Sequence, residues 1–169
     1  MKQENSLDLL TRIKRIQELI KNDNSIILKQ KNIDPKDINE LKSTGCPSDI
    51  IFILNALGEF TLSQNDFLII NFWKPSTLQK SSKMENSFYC SLLLEVPSVA
   101  ENLLFFAESA RAEVFCYDTN YDPWKILVFD GLSLYDNNDK LIDYLKPENQ
   151  CEDYFKDKKA ISVLEYCLP

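Results

Sequence analysis

The sequence predicts a single α+β domain, 1–169, with a mostly antiparallel sheet. Three observations predict it. The first 58 residues carry apolar side chains at helical spacing, interrupted by helix starts and stops. Residues 59–63, 67–73, 103–107, 113–118 and 125–130 are short runs rich in aromatic and β-branched side chains. These runs follow one another closely, which favours an antiparallel meander over parallel crossovers. A chain of 169 residues is long enough for one well-buried core and too short for two comfortable ones.

Residues 6–22 read as an amphipathic helix with Ser6 as N-cap. Leu7, Leu10, Ile13, Ile16 or Gln17, and Ile20 follow helical spacing, and Leu9 and Leu19 widen the stripe. Arg12, Lys14, Arg15 and Lys21 fall on other faces. The run 22–25 (NDNS) ends the helix, and a strand follows before residue 32. Asp34-Pro35 starts a second helix, with a carboxylate N-cap and proline at the first helical position. Asp37 then sits in the first turn, where the helix dipole favours it, and Gly45 stops the helix. Pro47 opens a third helix that is apolar at Ile50, Ile51, Ile53, Leu54 and Leu57, and Gly58 ends it.

Gln64-Asn65-Asp66 between two strand-like runs predicts a hairpin. Residues 74–86 are polar and basic, with a short helix expected after Pro75. Residues 87–96 fit strand and helix equally. In 113–118, Val114, Cys116 and Asp118 fall on one face and Glu113, Phe115 and Tyr117 on the other. A helix is expected near 138–145, and a last element near 150–166.

Several function classes lose support. The chain has no histidine, so a histidine general base, a Ser-His or Cys-His nucleophile pair and a histidine metal ligand are excluded. Its three glycines, at 45, 58 and 131, fit neither a dinucleotide fingerprint nor a P-loop. Cysteines 46, 90, 116, 151 and 167 are odd in number and widely spaced, so free, buried thiols are expected rather than a disulfide framework or zinc site. No cofactor or metal is expected. The segment MKQENSLDLL lacks the apolar core of a signal peptide, and runs such as IIFIL (50–54) are too short to span a bilayer. Cytoplasmic residence without membrane attachment is the expectation.

Charge is unevenly spread. Residues 1–31 hold seven Lys/Arg and four Asp/Glu, whereas 108–157 hold five and twelve, within a net charge of −7. Such a chain repels phosphate backbones and favours a basic protein partner. Solubility alone also accounts for acidity. Asp118, Asn120 and Asp122 alternate like calcium ligands, but no glycine follows at the turn position and Phe129 stands where the closing glutamate belongs, so they read as turn formers. Trp124, within the acidic stretch, suits either an interface anchor or a cap on the hairpin end.

Two stretches carry a family resemblance. In 33–58, Cys46-Pro47-Ser48-Asp49 stands where a Leu-Pro-x-Asp motif is expected, and Asn55 to Gly58 near an Asn-Gly. In 103–131, Phe106-Ala107-Glu108, Phe115-Cys116-Tyr117-Asp118 and Val128-Phe129-Asp130 match the pattern F-A-x-D, Y-C-F-D and V-Y-x-W-D. Ser109-Ala110-Arg111-Ala112 replaces that pattern's glycine-rich turn. Over 33–131 the chain resembles the SUKH superfamily, which includes cell-wall-assembly-regulator-like proteins and bacterial immunity proteins. The resemblance implies a non-enzymatic α+β domain with a bent sheet carrying helices. It also implies a cognate toxin as partner, in contact-dependent growth inhibition or a related polymorphic toxin system. The expected contact surface is Glu108, Glu113, Asp118, Asp122, Trp124, Asp130 and Asp136, on a chain expected to be monomeric when free. A regulatory scaffold of the same fold is the alternative, and a carboxylate-dependent enzyme a third.

Overall fold

The computed structural model describes residues 4–77, 101–111, 113–120, 124–129 and 159–168. The element order is α1 (Glu4–Asn22), β1 (Ile26–Lys31), α2 (Pro35–Ser43), α3 (Ser48–Leu57), β2 (Glu59–Gln64), β3 (Phe67–Ser76), β4 (Leu103–Ser109), β5 (Val114–Asp118), β6 (Lys125–Phe129) and a C-terminal helix, α4 (Ala160–Cys167). The strands lie in one six-stranded sheet in sequence order. The pairs β1–β2, β2–β3, β4–β5 and β5–β6 are antiparallel. The α+β class with an antiparallel sheet is thus the one observed. The helices expected after Pro75 and near 138–145, and the segment 87–96, lie outside the described residues, except that β3 continues as strand through Lys74, Pro75 and Ser76. The element expected near 150–166 is found as α4.

Contacts gather the chain into two compact units, 1–72 with 159–169, and 73–158. In the first, α1 packs on α3, α4 and β1, and α3 packs on α2 and α4. Helix α1 begins at Glu4, so Ser6 lies in its first turn and is not the cap. Its core stripe is Leu9, Ile13 and Ile16, each at most 4% exposed, whereas Leu7 is 70% exposed. The stripe expected through Leu7 and Leu10 is therefore rotated: side chains at i, i+4 and i+7 from Leu9 face inward, and those from Leu7 face out. Arg12, expected on a solvated face, is half-buried against α4. Its guanidinium donates to both Glu165 carboxylate oxygens, at 3.0 and 2.6 Å, and to Ser162 Oγ at 2.6 Å. This fork geometry suits arginine and not lysine.

The caps formed as the sequence predicts. Asp34 Oδ1 accepts from the Lys36 N–H at 2.8 Å, Pro35 opens α2, and Gly45 has φ +82 just past its end. Helix α3 starts one residue later than expected, with Pro47 as its cap, and ends at Gly58. Pro47 offers α3 no side-chain cap, and Lys159 offers none to α4. Asp49 serves instead. It is buried in the first turn of α3, and its Oδ2 accepts the Ala160 N–H at the first turn of α4. Ile161, Val163 and Leu164 are then fully buried, each worth about 1.5–3 kcal/mol relative to exposure.

Between α1 and β1, Asp23 Oδ1 accepts from the Ser25 N–H at 2.9 Å and from Ser25 Oγ at 2.6 Å. These bonds from Ser25 hold the Asp23 carboxyl below its ordinary range. Gln64 Nε2 donates to Asp23 Oδ2, and the Asn65 N–H to the Ser25 carbonyl. The start of β1 is thereby pinned to the β2–β3 hairpin. That hairpin closes through Asn65 (φ 50) and Asp66 (φ 68), the two positive angles of a type I′ turn. A bulge near Ser63 slips the register between the Leu62–Ile70 and Ser63–Leu68 pairs. The extra residue lets both Ile69 and Ile70 be buried, and beyond it Phe60 and Phe72 stack at 5.0 Å.

In the second unit, β4, β5 and β6 form a meander of their own, with a register shift between Phe105 and Ala107. Leu103, Phe105, Phe106 and all five residues of β5 are buried. A strand buried on both faces needs no polar alternation, which explains the unbroken apolar run Val114–Tyr117.

Gly58 has φ +68, and a Cβ there would collide with the Lys31 carbonyl oxygen at the end of β1. Gly58→Ala is expected to lower stability by more than ~2 kcal/mol, through strain and through separation of β1 from β2, as read by urea denaturation. Burial pushes the Asp49 carboxyl above its ordinary value, while the backbone N–H groups of Ala160, Ile50, Asp49 and Ile161 pull it back. Between the unfolded and the raised folded value, the folded chain keeps a proton that the unfolded chain releases, so stability falls as pH rises through that window. In Asp49→Asn this loss should vanish from urea midpoints measured upward from about pH 4, and Asp49→Ala should cost about 1–3 kcal/mol through the orphaned Ala160 N–H.

Candidate interaction surface

The acidic stretch begins on β4 and β5, and its carboxylates part ways there. Glu108 lies near the end of β4, half-buried and opposite Val114. Glu113 and Asp118, one just before β5 and one at its end, are only 6% and 7% exposed. Both were expected on the contact surface, and both are buried with carboxylates that accept bonds from the chain's own turns. Ser109 Oγ donates to Glu113 Oε2 at 2.7 Å, the Ser109 N–H donates to the Glu113 carbonyl at 2.8 Å, and the Arg111 N–H donates to Ser109 Oγ at 3.2 Å. This turn has no glycine and is built by a hydroxyl and a buried carboxylate.

Asp118 does the same for the next turn. Its Oδ1 accepts the Asn120 N–H at 2.9 Å, an Asx turn, while Thr119 donates through its N–H and its hydroxyl to the Asn102 carbonyl, each at 3.0 Å. Asp118 and Asn120 are thus turn formers, as expected from the lack of a calcium-loop glycine and closing glutamate. Asp122, Asp130 and Asp136 lie outside the described residues.

Trp124 is half-buried, and its ring meets Tyr117 with centroids 5.9 Å apart at 55°. Tyr117 in turn stacks on Phe106 at 4.8 Å. Trp124 therefore caps a column of rings at the hairpin end and keeps part of its surface in water. Of the seven expected contact residues, Glu108 and Trp124 are the described ones that are half-buried rather than buried.

The cysteine reading holds for the described thiols. Cys46 and Cys116 are buried and Cys167 half-buried, and none of the three is in a disulfide. Burial, with the Asp49 charge beside it, pushes the Cys46 thiol up to about 12, so it acts as a small apolar group rather than a nucleophile. Among the described residues, no three His, Cys, Asp or Glu side chains converge as a metal site, and no helix is long and apolar enough to cross a membrane.

Sequence reasoning passed over two surfaces of the first unit. Phe67, the first residue of β3, is 79% exposed beside the hairpin turn. The β1 residues Ile27, Lys29, Gln30 and Lys31 are also exposed. The signal for β1 was its sequence, IILKQK, in which lysines take alternate positions of an edge strand.

Ser109→Ala removes a buried donor from the Glu113 carboxylate and is expected to cost about 1–3 kcal/mol in urea denaturation. Glu113→Gln, which keeps the shape and an acceptor, should cost less than Ser109→Ala. Compared with protein-family models and with curated proteins, the sequence matches none.

Proposed function

We propose that this chain is an immunity protein that binds one cognate toxin and neutralises it through an acidic surface. The observation that carries this is the charge of 108–157, twelve acidic against five basic residues. An acidic surface competes for a cleft built to hold phosphate, so a nuclease-type toxin with a basic site is the fitting target. The short SUKH motifs over 33–131 support the same reading. Binding needs no histidine, metal or cofactor, and catalysis is no part of the proposal.

The burial of Glu113 and Asp118 sharpens the contact set. Glu108 and Trp124 carry it among the described residues, joined by the acids at 122, 130 and 136. A half-buried tryptophan backed by Tyr117 and Phe106 is rigid, and rigid aromatics lose little entropy on binding. Cytoplasmic residence belongs to the proposal, because the toxin would act there.

The test is co-expression with the toxic domain encoded by the adjacent gene. Growth should be rescued and the two chains should co-purify, with Kd weakening more than ~10-fold when salt rises from ~0.05 to ~0.5 M. Glu108→Lys should slow association, and Trp124→Ala should speed dissociation. Absence of both rescue and complex sinks the immunity reading. Complexes with several unrelated proteins, without rescue, would instead favour the scaffold of the same fold.

A further inference from the structure

The outer edge of β1 carries charge of opposite sign to the acidic stretch. Strand β1 is at the end of the sheet order and, among the described residues, pairs with β2 alone. Its hydrogen-bond parity follows from one bond. The Asn65 N–H donates to the Ser25 carbonyl, so Ser25 faces β2, and in an antiparallel ladder Ile27, Lys29 and Lys31 face it too. Ile26, Leu28 and Gln30 turn their backbone groups the other way. The Ile26 N–H confirms this parity, because it donates to the Asp23 carbonyl and not to β2. Among the described residues, Leu28 and Gln30 thus hold open backbone donors and acceptors.

The side chains say what would fit. Lys29 and Lys31 are exposed on one face of β1, with Ile27 on the same face at 44% exposure. Neither lysine takes part in an ion pair among the described residues. Across the register, Lys29 faces Thr61 and Lys31 faces Glu59, so Lys29 is the less compensated charge. A strand placed on this edge would set its side chains directly opposite Ile27, Lys29 and Lys31. A second copy pairing edge to edge would bring two such lysine pairs together, at the cost of like-charge repulsion. An acidic strand would gain there.

We propose that the β1 edge accepts an acidic extended segment of a partner protein as an added strand. Backbone bonds to Leu28 and Gln30 would supply affinity, and acidic side chains at alternate positions, opposite Lys29 and Lys31, would supply selectivity. Apolar residues would follow opposite Leu28 and Ile27. This edge lies in the first unit and does not depend on the acidic stretch of the second.

The probe is a capped, fluorescent peptide containing Glu-Thr-Glu-Val-Val, compared with its Lys-Thr-Lys-Val-Val counterpart by anisotropy on the full chain. The acidic peptide should bind with Kd below about 1 mM, and the basic one at least ~10-fold more weakly. Lys29→Glu with Lys31→Glu should reverse that preference. Gln30→Pro removes the outward N–H together with the Gln30 Nε2 bond to the Leu57 carbonyl, and should weaken both peptides while urea denaturation checks that the chain stays folded. A measurement on the unaltered chain stands beside the variants: the acidic peptide should slow amide exchange at Leu28 and Gln30, and leave Ile27 and Lys29, already in the ladder, unchanged. Equal binding of both peptides, or no slowing at Leu28 and Gln30, overturns the proposal. So does a dimer of the free chain that Gln30→Pro dissociates, since the occupant would then be a second copy.

Discussion

One carboxylate holds the first unit together. Asp49 sits where the N-termini of α3 and α4 meet, and neither helix has a side-chain cap of its own. A helix start leaves several N–H groups without partners and carries partial positive charge. Two such starts brought together repel each other and strand their donors. A buried anion between them answers both problems. The cost is desolvation, which is why the Asp49 carboxyl is pushed up although its neighbours favour its charge. Residues 49 and 160 are 111 positions apart, so this contact ties the C-terminal helix to the N-terminal helices of the first unit. Arg12, reaching Glu165 and Ser162 from α1, fixes the other side of the same C-terminal helix.

Local chemistry was legible in the sequence, and long-range chemistry was not. Asp34-Pro35, Gly45, Gly58 and Asn65-Asp66 act within a few residues of themselves, and each does what its type predicts. The strands were legible because aromatic and β-branched runs announce themselves. The face of α1 was not, since Leu7 and Leu9 both begin acceptable stripes and only the packing against α3 and α4 chooses between them. Asp49 reads as an ordinary first-turn acid, and Arg12 as an ordinary surface base. Their partners lie more than a hundred residues away, beyond any local pattern.

The candidate surface shows the same division in its charges. A count of acids along 108–157 treats each carboxylate as solvent-facing. Yet Glu113 and Asp118 flank an apolar run, Val114–Tyr117, that is covered on both faces. A strand drawn that far into the core takes its flanking residues with it, and a buried carboxylate must find donors. Ser109, Asn120 and the turn backbone provide them. The spacing Ser109 to Glu113 across a turn without glycine was the available hint. It becomes readable only once a side-chain-built turn is expected in place of a glycine-built one.

Charge on β1 works by the opposite logic. An open strand edge invites any strand, and lysines on it are a common defence. The defence is selective, because ammonium groups at alternate positions repel basic strands and copies of themselves, and leave their desolvation uncompensated against a neutral strand but not against one with carboxylates in register. Lys29 and Lys31 thus both oppose pairing of β1 with a copy of itself and would choose its partner. The bonds among Asp23, Ser25, Gln64 and Asn65 fix the register in which they do so. A slip of one residue would turn both lysines to the other face and leave the edge undefended.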